Sequence, residues 1–316
     1  MHIGTKVSVI MATYNPIWEK CLFTLESIVA QEGVDIELII TDDGSDNNLF
    51  SRFTSFFQDI SFDNYKLIGN LENQGTVKNY YSALQVATGD YIKLISPGDA
   101  LYNETVLSDW VTYLIDSGKK WSFANAVFYQ NNNEHKQIVR VPTYPRIIDC
   151  YTSGNDKACR WNYIVLEDYA LGAALLCDRL LMTKYLSEFI DVVKYTEDSI
   201  HVAMMYDGIL PAYYDKNVII YEYGTGVSTG ADKWQERVRL DMRNAEIAIS
   251  KKEYNDSFQN KIRLSLIRIN SGGRIKKRIL KHMQRGGLKK AFIYKTNPRL
   301  SSDDCSTCGK WWSNYS

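Results

Sequence analysis

Apolar and polar positions follow two alternating rhythms along the first hundred residues. Val7–Met11 is an apolar, β-branched run that ends in the polar turn Ala12-Thr13-Tyr14-Asn15-Pro16. Leu22, Leu25, Ile28 and Val29 then recur at helical spacing, which predicts an amphipathic helix. Ile36–Ile40 is a second buried-type strand, closed by Thr41-Asp42-Asp43-Gly44-Ser45, and Phe50, Phe53, Phe56 and Phe57 again mark a helix. Tyr65–Ile68 and Tyr91–Ile95 predict two more strands, with a helix over Val77–Ala87 between them. Strand and helix alternate about every 25–30 residues, the mark of βαβ units and a mostly parallel, Rossmann-like sheet flanked by helices. Ligands of such sheets sit beyond the carboxyl ends of the strands. Here those ends carry Thr13-Tyr14-Asn15, Asp42-Asp43 and Ser96–Asp99.

Further on the pattern weakens. Trp121–Tyr129 predicts a strand followed by a polar turn at Gln130–Lys136. Ala173–Cys177 reads as a strand, Asp178–Phe189 and Asp198–Met205 as helices, and Val218–Tyr223 as a strand leading into Gly224-Thr225-Gly226. From Ala231 the character changes. Ser257–Ser302 holds 13 Lys/Arg and no acid, with Ile262, Leu266, Ile269, Ile275, Ile279 and Leu280 interleaved and Gly272-Gly273 as a break. That pattern predicts two basic amphipathic helices and then a poorly ordered end. The expected division is a domain over 1–230 and a basic helical extension over 231–316.

Charge sharpens this division. The 316 residues carry no net charge, yet residues 1–230 hold 17 Lys/Arg against 29 Asp/Glu, and residues 231–316 hold 20 against 8. An acidic body with a basic tail points to contact with an anionic surface. No 18-residue apolar run exists to cross a bilayer. The six cysteines lack framework spacing and no secretory core follows Met1, so reduced thiols in the cytoplasm are expected. Cys305-Ser306-Thr307-Cys308 is half of a zinc site at most.

Three acidic spots are candidates for chemistry. Asp42-Asp43-Gly44-Ser45 at a strand end can bind a base or ribose, or be an ordinary Asp-Gly turn. Ser96-Pro97-Gly98-Asp99 offers one carboxylate suited to Mg²⁺ or Mn²⁺, or a Pro-Gly turn. Thr196-Glu197-Asp198 can supply a general base, or a helix start in which Thr196 caps and the acids meet the helix dipole.

In order and spacing these pieces resemble the family 2 glycosyltransferases of GT-A fold, inverting enzymes of bacterial polysaccharide synthesis. Val7–Asn15 resembles their opening strand and Glu37–Ser45 the second strand. Asn73–Asn79 and Ala87–Ile92 resemble the approach to their metal motif, Glu197-Asp198 their acidic pair, and Tyr221–Ser228 their closing loop. The resemblance implies transfer of a sugar from a nucleotide-diphosphate donor, a UDP-sugar being the expectation, to a hydroxyl of a glycan or lipid-linked glycan. It places Tyr14 and Asp43 on the nucleotide base with Ala12, Thr13 and Asp42 beside them, and Lys78, Asn79 and Gly98 close to the nucleotide. It makes Asp99 the metal ligand for Mn²⁺ or Mg²⁺, and Asp198, with Glu197 adjacent, the catalytic base. The usual run of two or three acids is here reduced to Asp99, so weak metal binding is expected. Lipopolysaccharide and capsule assembly are the implied settings. Residues Lys261–Lys290 are expected to rest on the anionic inner face of the cytoplasmic membrane.

Two rivals remain. A protein that binds nucleotide-sugars without turning them over fits the reduced motif. A sugar-phosphate nucleotidyltransferase fits less well, because a Gly- and Arg/Lys-rich segment should follow the first strand. No nucleic-acid partner is expected, since the basic segment belongs to no recognisable nucleic-acid module.

Overall fold

The computed structural model describes residues 4–132, 135–224, 232–271 and 298–315, with Gly273, Ile279 and Met283. Its strands are β1 (Lys6–Thr13), β2 (Asp35–Asp42), β3 (Tyr65–Gly69), β4 (Tyr91–Ile95), β5 (Ala100–Leu101), β6 (Trp121–Asn132), β7 (His135–Val139), β8 (Leu175–Asp178) and β9 (Ala212–Glu222). They form one sheet in the order β3-β2-β1-β4-β8-β6-β9-β5, with β7 hairpinned onto β6. The left half, β3-β2-β1-β4, is parallel throughout; β8 runs against both β4 and β6, and β6 and β9 are parallel again. The fold is the mostly parallel α/β sheet of GT-A type.

Alternation along each strand divides the interior in two. In β1, Val7, Val9 and Met11 enter one core while Ile10 enters the other, the period of two that a pleated strand imposes. The first core is covered by α1 (Trp18–Val29), α2 (Phe50–Asp59) and α4 (Val106–Asp116). The second lies under α3 (Thr76–Leu84), the short α5 (Asp149–Thr152), α6 (Asp156–Val165), α7 (Arg179–Phe189) and α8 (Ile200–Tyr206). Side-chain caps start two of these helices: Asn155 accepts from Ala158 N–H and Asp178 from Leu181 N–H.

A buried ion network ties the amino-terminal half of the sheet. Glu37 on β2 is 1% exposed. It accepts from Ser8 Oγ at 2.6 Å, Lys66 Nζ at 2.5 Å and both Thr88 N and Oγ1, at 2.8 and 3.0 Å. Burial alone would raise its pKa, but these donors prevail and lower it to about 2.

The carboxyl-terminal third departs from expectation in three places. Ile262, Leu266 and Ile269 do form one face of a helix, but α10 (Ser257–Asn270) buries that face in the second core beside α9 (Asp232–Lys251) and α6. Of the interleaved apolar positions, Ile262, Leu266 and Ile269 are therefore core, whereas Ile279 is 54% exposed. The expected second basic helix and the loop from Thr225 lie outside the described residues. The end of the chain is anchored instead of loose: Leu300 bridges Pro142, Ser302 bridges Val127, and α11 (Lys310–Ser313) seats Trp311 and Trp312 in the first core. Cys305 and Cys308 are joined as a disulfide, whereas all six cysteines were expected as thiols; the other four are free and buried.

Candidate active site

The ends of β1 and β2 meet as their parallel register requires, Thr13 beside Asp42. Asp42 is a hub. Its carboxylate accepts from Thr13 Oγ1 at 2.9 Å, Ser45 N at 2.8 Å and Ser45 Oγ at 2.7 Å, and Asn15 N–H donates to Ser45 Oγ. Gly44 is required here: its φ is +75°, and a Cβ would lie 2.5 Å from the Glu72 carbonyl carbon. Asp43 organises the next loop, accepting from Gln74 N, Gly75 N and Asn70 Nδ2 at 3.0, 2.8 and 3.2 Å. Asn79 is buried and bonds both ways with Thr41, so it fastens α3 to β2. Lys78 pairs with Asp191 at 3.3 Å. Tyr14 is 54% exposed and Ala12 half-buried. These residues share the rim at the carboxyl end of the sheet, but none of them lines the main cavity beside it.

That cavity, about 750 Å³, opens where β4 ends. Ser96, Pro97 and Asp99 form one side and Glu197 and Asp198 another, so two acids 99 positions apart in sequence face one space. Gly98 bridges the first side; its φ is +100°, its carbonyl accepts from Tyr129 OH, and a Cβ would come 2.5 Å from Glu222 Oε2. Asp99 Oδ1 accepts the Glu222 N–H at 3.0 Å. Glu222 in turn is held by Lys20 at 2.6 Å and Asn131 at 2.8 Å. Burial raises Asp99 to about 7 against the opposing Glu222 N–H, and Lys93, fully buried on β4, is lowered by burial to about 7 while Asp99 opposes the shift.

Glu197 and Asp198 open a 3-10 turn that runs into α8. Burial raises Asp198 to about 6; burial and then the charge of Asp198 raise Glu197 to about 8, so the two carboxyls titrate as a pair. The turn is held from α9, where Asp241 Oδ2 accepts three successive backbone N–H groups, those of Lys194, Tyr195 and Thr196, at 3.0, 2.6 and 3.2 Å. Behind it, His201 Nδ1–H donates to Asp198 O at 2.9 Å, and burial lowers its pKa to about 4, leaving the ring neutral. Thr196 Oγ1, Ser199 Oγ and His201 Nε2 are buried without partners among the described residues, a concentration of unmet polar groups around one acidic pair.

Several wall residues carry no local sequence signal. Arg146 reaches the cavity from the irregular segment after β7 and binds Asp168 through both its backbone N–H and Nε, at 2.9 and 3.2 Å. Tyr144, Tyr169, Tyr195 and Tyr223 add aromatic surface, and Val238 and Met242 of α9 close one end.

The acids of the cavity offer a hard divalent cation few protein ligands. Among the described residues no three His, Cys, Asp or Glu side chains converge on a point, so there is no closed protein cage. Asp99 nevertheless fits a cation shared with a ligand: it faces the cavity, and burial disfavours its charge until a positive partner arrives. Mg²⁺-type ions are commonly held by one or two carboxylates plus phosphate oxygens and waters.

Sheet order, glycine-built rim and acid-lined cavity define a GT-A α/β protein. The family model described as glycosyl transferase family 2 matches residues 8–168, and the chain belongs to that family. A glucosyl-dolichyl phosphate glucuronosyltransferase of Haloferax volcanii is 33% identical over 113 residues, 35% of this chain and 34% of that protein. An uncharacterized glycosyltransferase, the MG060 homolog of Mycoplasma pneumoniae, is 28% identical over 142 residues, 44% of this chain and 46% of that one. The matched stretches thus span less than half of either relative. Among solved structures, S. aureus TarS 1–349 in complex with UDP-GlcNAc superposes with a TM-score of 0.57 at 17% identity, covering 92% of this chain and 81% of that one. The mannosyltransferase PcManGT from Pyrobaculum calidifontis, in complex with GDP-Man and Mn2+, gives 0.58 at 16% identity, covering 92% and 78%. At those identities the likeness shows the fold.

Proposed function

We propose that the protein is an inverting glycosyltransferase that moves a sugar from a nucleoside-diphosphate donor, a UDP-sugar first, to a hydroxyl of a glycan or lipid-linked glycan in surface polysaccharide synthesis. The observation that carries this reading is the single cavity lined by Asp99 on one side and Glu197-Asp198 on the other. The nucleotide would lie along the rim of Ala12, Thr13, Tyr14, Asp42, Asp43, Lys78, Asn79 and Gly98. Asp42 and Asp43 are fixed there by the hydrogen bonds described, so their contribution is a preorganised edge more than loose contact groups.

In the reaction, Asp198 accepts the proton of the acceptor hydroxyl. That oxygen forms a bond to the anomeric carbon from the face opposite the leaving group, while the bond from that carbon to the diphosphate oxygen breaks and its electron pair leaves with the nucleoside diphosphate. Asp99 would hold a divalent cation, which when bound supplies charge neutralisation for the diphosphate. Lys20 lines the same side of the cavity. The Asp198 carboxylate must be ionised to act, so the rate climbs as pH rises through about 6.

The test is UDP or GDP release from a panel of nucleotide-sugars with Mn²⁺ and with excess chelator. The reading expects measurable hydrolysis of at least one donor, at least ten-fold slower in chelator. Binding that raises thermal stability with no turnover of any donor would establish the rival, a nucleotide-sugar binding protein.

A peripheral membrane position is part of the proposal. Its support is a stripe on the outer side of α10, where Lys261, Leu264, Ile267 and Arg268 are exposed. No helix among the described residues is long and apolar enough to cross a membrane. Flotation should increase with anionic lipid and fall with salt, and binding indifferent to both would remove this part.

A further inference from the structure

Resting on that catalytic reading, we infer that Lys93 is a positioning residue: its buried ammonium ties the strand that leads to Asp99 to the turn that abuts Asp198, and so sets the width of the reacting cleft.

A lysine with no exposed surface inside a sheet needs a reason, because burying an ammonium costs several kcal/mol unless its donors are met. Lys93 lies at a parting of strands. β4 and β8 pair only at Tyr91–Asp178 and Ile92–Cys177. One residue beyond, the ladder stops and the strands separate, with Leu94 and Ile95 on one side of the opening and Gly172 and Ala173 on the other, all four lining the cavity. Lys93 is the first β4 residue past the last pair, and its Nζ spans the opening. It donates to Leu94 O at 2.7 Å and to Ala173 O at 2.6 Å, one carbonyl from each side.

Both ends of this tie lead to reacting groups. β4 continues through Ser96-Pro97-Gly98 to Asp99. The 3-10 turn Gly172–Ala174 packs directly on the base: a Cβ at Gly172 would stand 3.0 Å from Asp198 Oδ2. A small shift of Ala173 is therefore a shift of the surface against which Asp198 rests. A neutral side chain of the same length would fill the volume without holding the two carbonyls.

The experiment is Lys93→Met in the full chain, read in three ways. The melting temperature is expected to change little, since removing the desolvated ammonium is offset by two carbonyls left without a donor. Backbone amide exchange should accelerate at least ten-fold at Ala174–Leu176 and at Ser96–Asp99. Hydrolysis of UDP-N-acetylglucosamine, or of whichever panel donor the wild-type protein cleaves fastest, should lose roughly 10–100-fold in kcat with UDP affinity within about two-fold. Unchanged exchange on either side of the gap, or kcat within two-fold of wild type in the folded variant, overturns the inference. If Lys93→Met does not fold, Gly172→Ala reads the same joint: kcat should fall with UDP binding kept, and a folded, fully active Gly172→Ala variant overturns it. Loss of turnover in Asp198→Asn alongside normal turnover in Lys93→Met would sink only this inference. Turnover kept in Asp198→Asn would sink the catalytic reading beneath it.

Discussion

Two carboxylates with opposite shifts show how local donors assign roles. Glu37 and Asp198 both sit in surroundings that disfavour charge, yet Glu37 is met by four donor groups and Asp198 faces a cavity. Glu37 is consequently a stability element. Its folded pKa, about 2, lies below the ordinary value of 4.5, so its contribution is fully present above about 4.5 and is lost as pH falls toward 2. Glu37→Gln should cost roughly 1–2 kcal/mol at neutral pH, because Lys66 and Thr88 are exposed enough for water to replace part of what they lose. Urea melts at pH 7 and pH 3 check it: the difference between variant and wild type should shrink at the lower pH. Asp198 has the reverse sign. Its charge is disfavoured by burial, which fits a group that must take up a proton in the transition state.

Among the elements, the parallel strands were legible and the cavity walls were not. β1 and β2 are covered on both faces, so they read as nearly continuous apolar runs bounded by turn residues, and the predicted spans of β1 through β4 fall inside the observed ones. The polar turn expected at Gln130–Lys136 is instead the end of β6 and the start of β7, because an outer hairpin at its tip is as polar as a turn. Lys93 and Asp241 were invisible for another reason: a charge in a strand or helix gives no sign of which distant carbonyl or N–H it meets. The acidic pair Glu197-Asp198 was marked in sequence, but its clamp lies 43 residues beyond Asp198, on α9. Asp241→Ala should free the Lys194–Thr196 segment and lower kcat by about 10-fold or more, with UDP affinity little changed, because a displaced base harms the chemical step first. Equal losses in affinity and kcat would instead mean that α9 shapes the donor site.

The molecule as a whole is organised around the parting of β4 from β8. The parallel half of the sheet builds the rim, and the mixed half turns the base loop back toward it. Residues 298–315 then pack behind the cavity walls. Thr143 N–H donates to Arg299 O at 2.9 Å, and Trp312 packs edge-on against Tyr129, whose hydroxyl holds the Gly98 carbonyl next to Asp99. Residues near 300 thus buttress a site whose rim begins near residue 12, an arrangement that no local pattern announces. The central claim is that Asp99 and Asp198 serve one reaction in this shared cavity. Single-turnover release of nucleoside diphosphate from a cleaved panel donor, in wild type and Asp198→Asn across pH 5–8, tests it most directly. The account predicts a wild-type rate that climbs through about pH 6, and an Asp198→Asn rate at least about 100-fold lower, flat with pH, with UDP binding retained. An Asp198→Asn variant that keeps the wild-type rate and pH profile would contradict it.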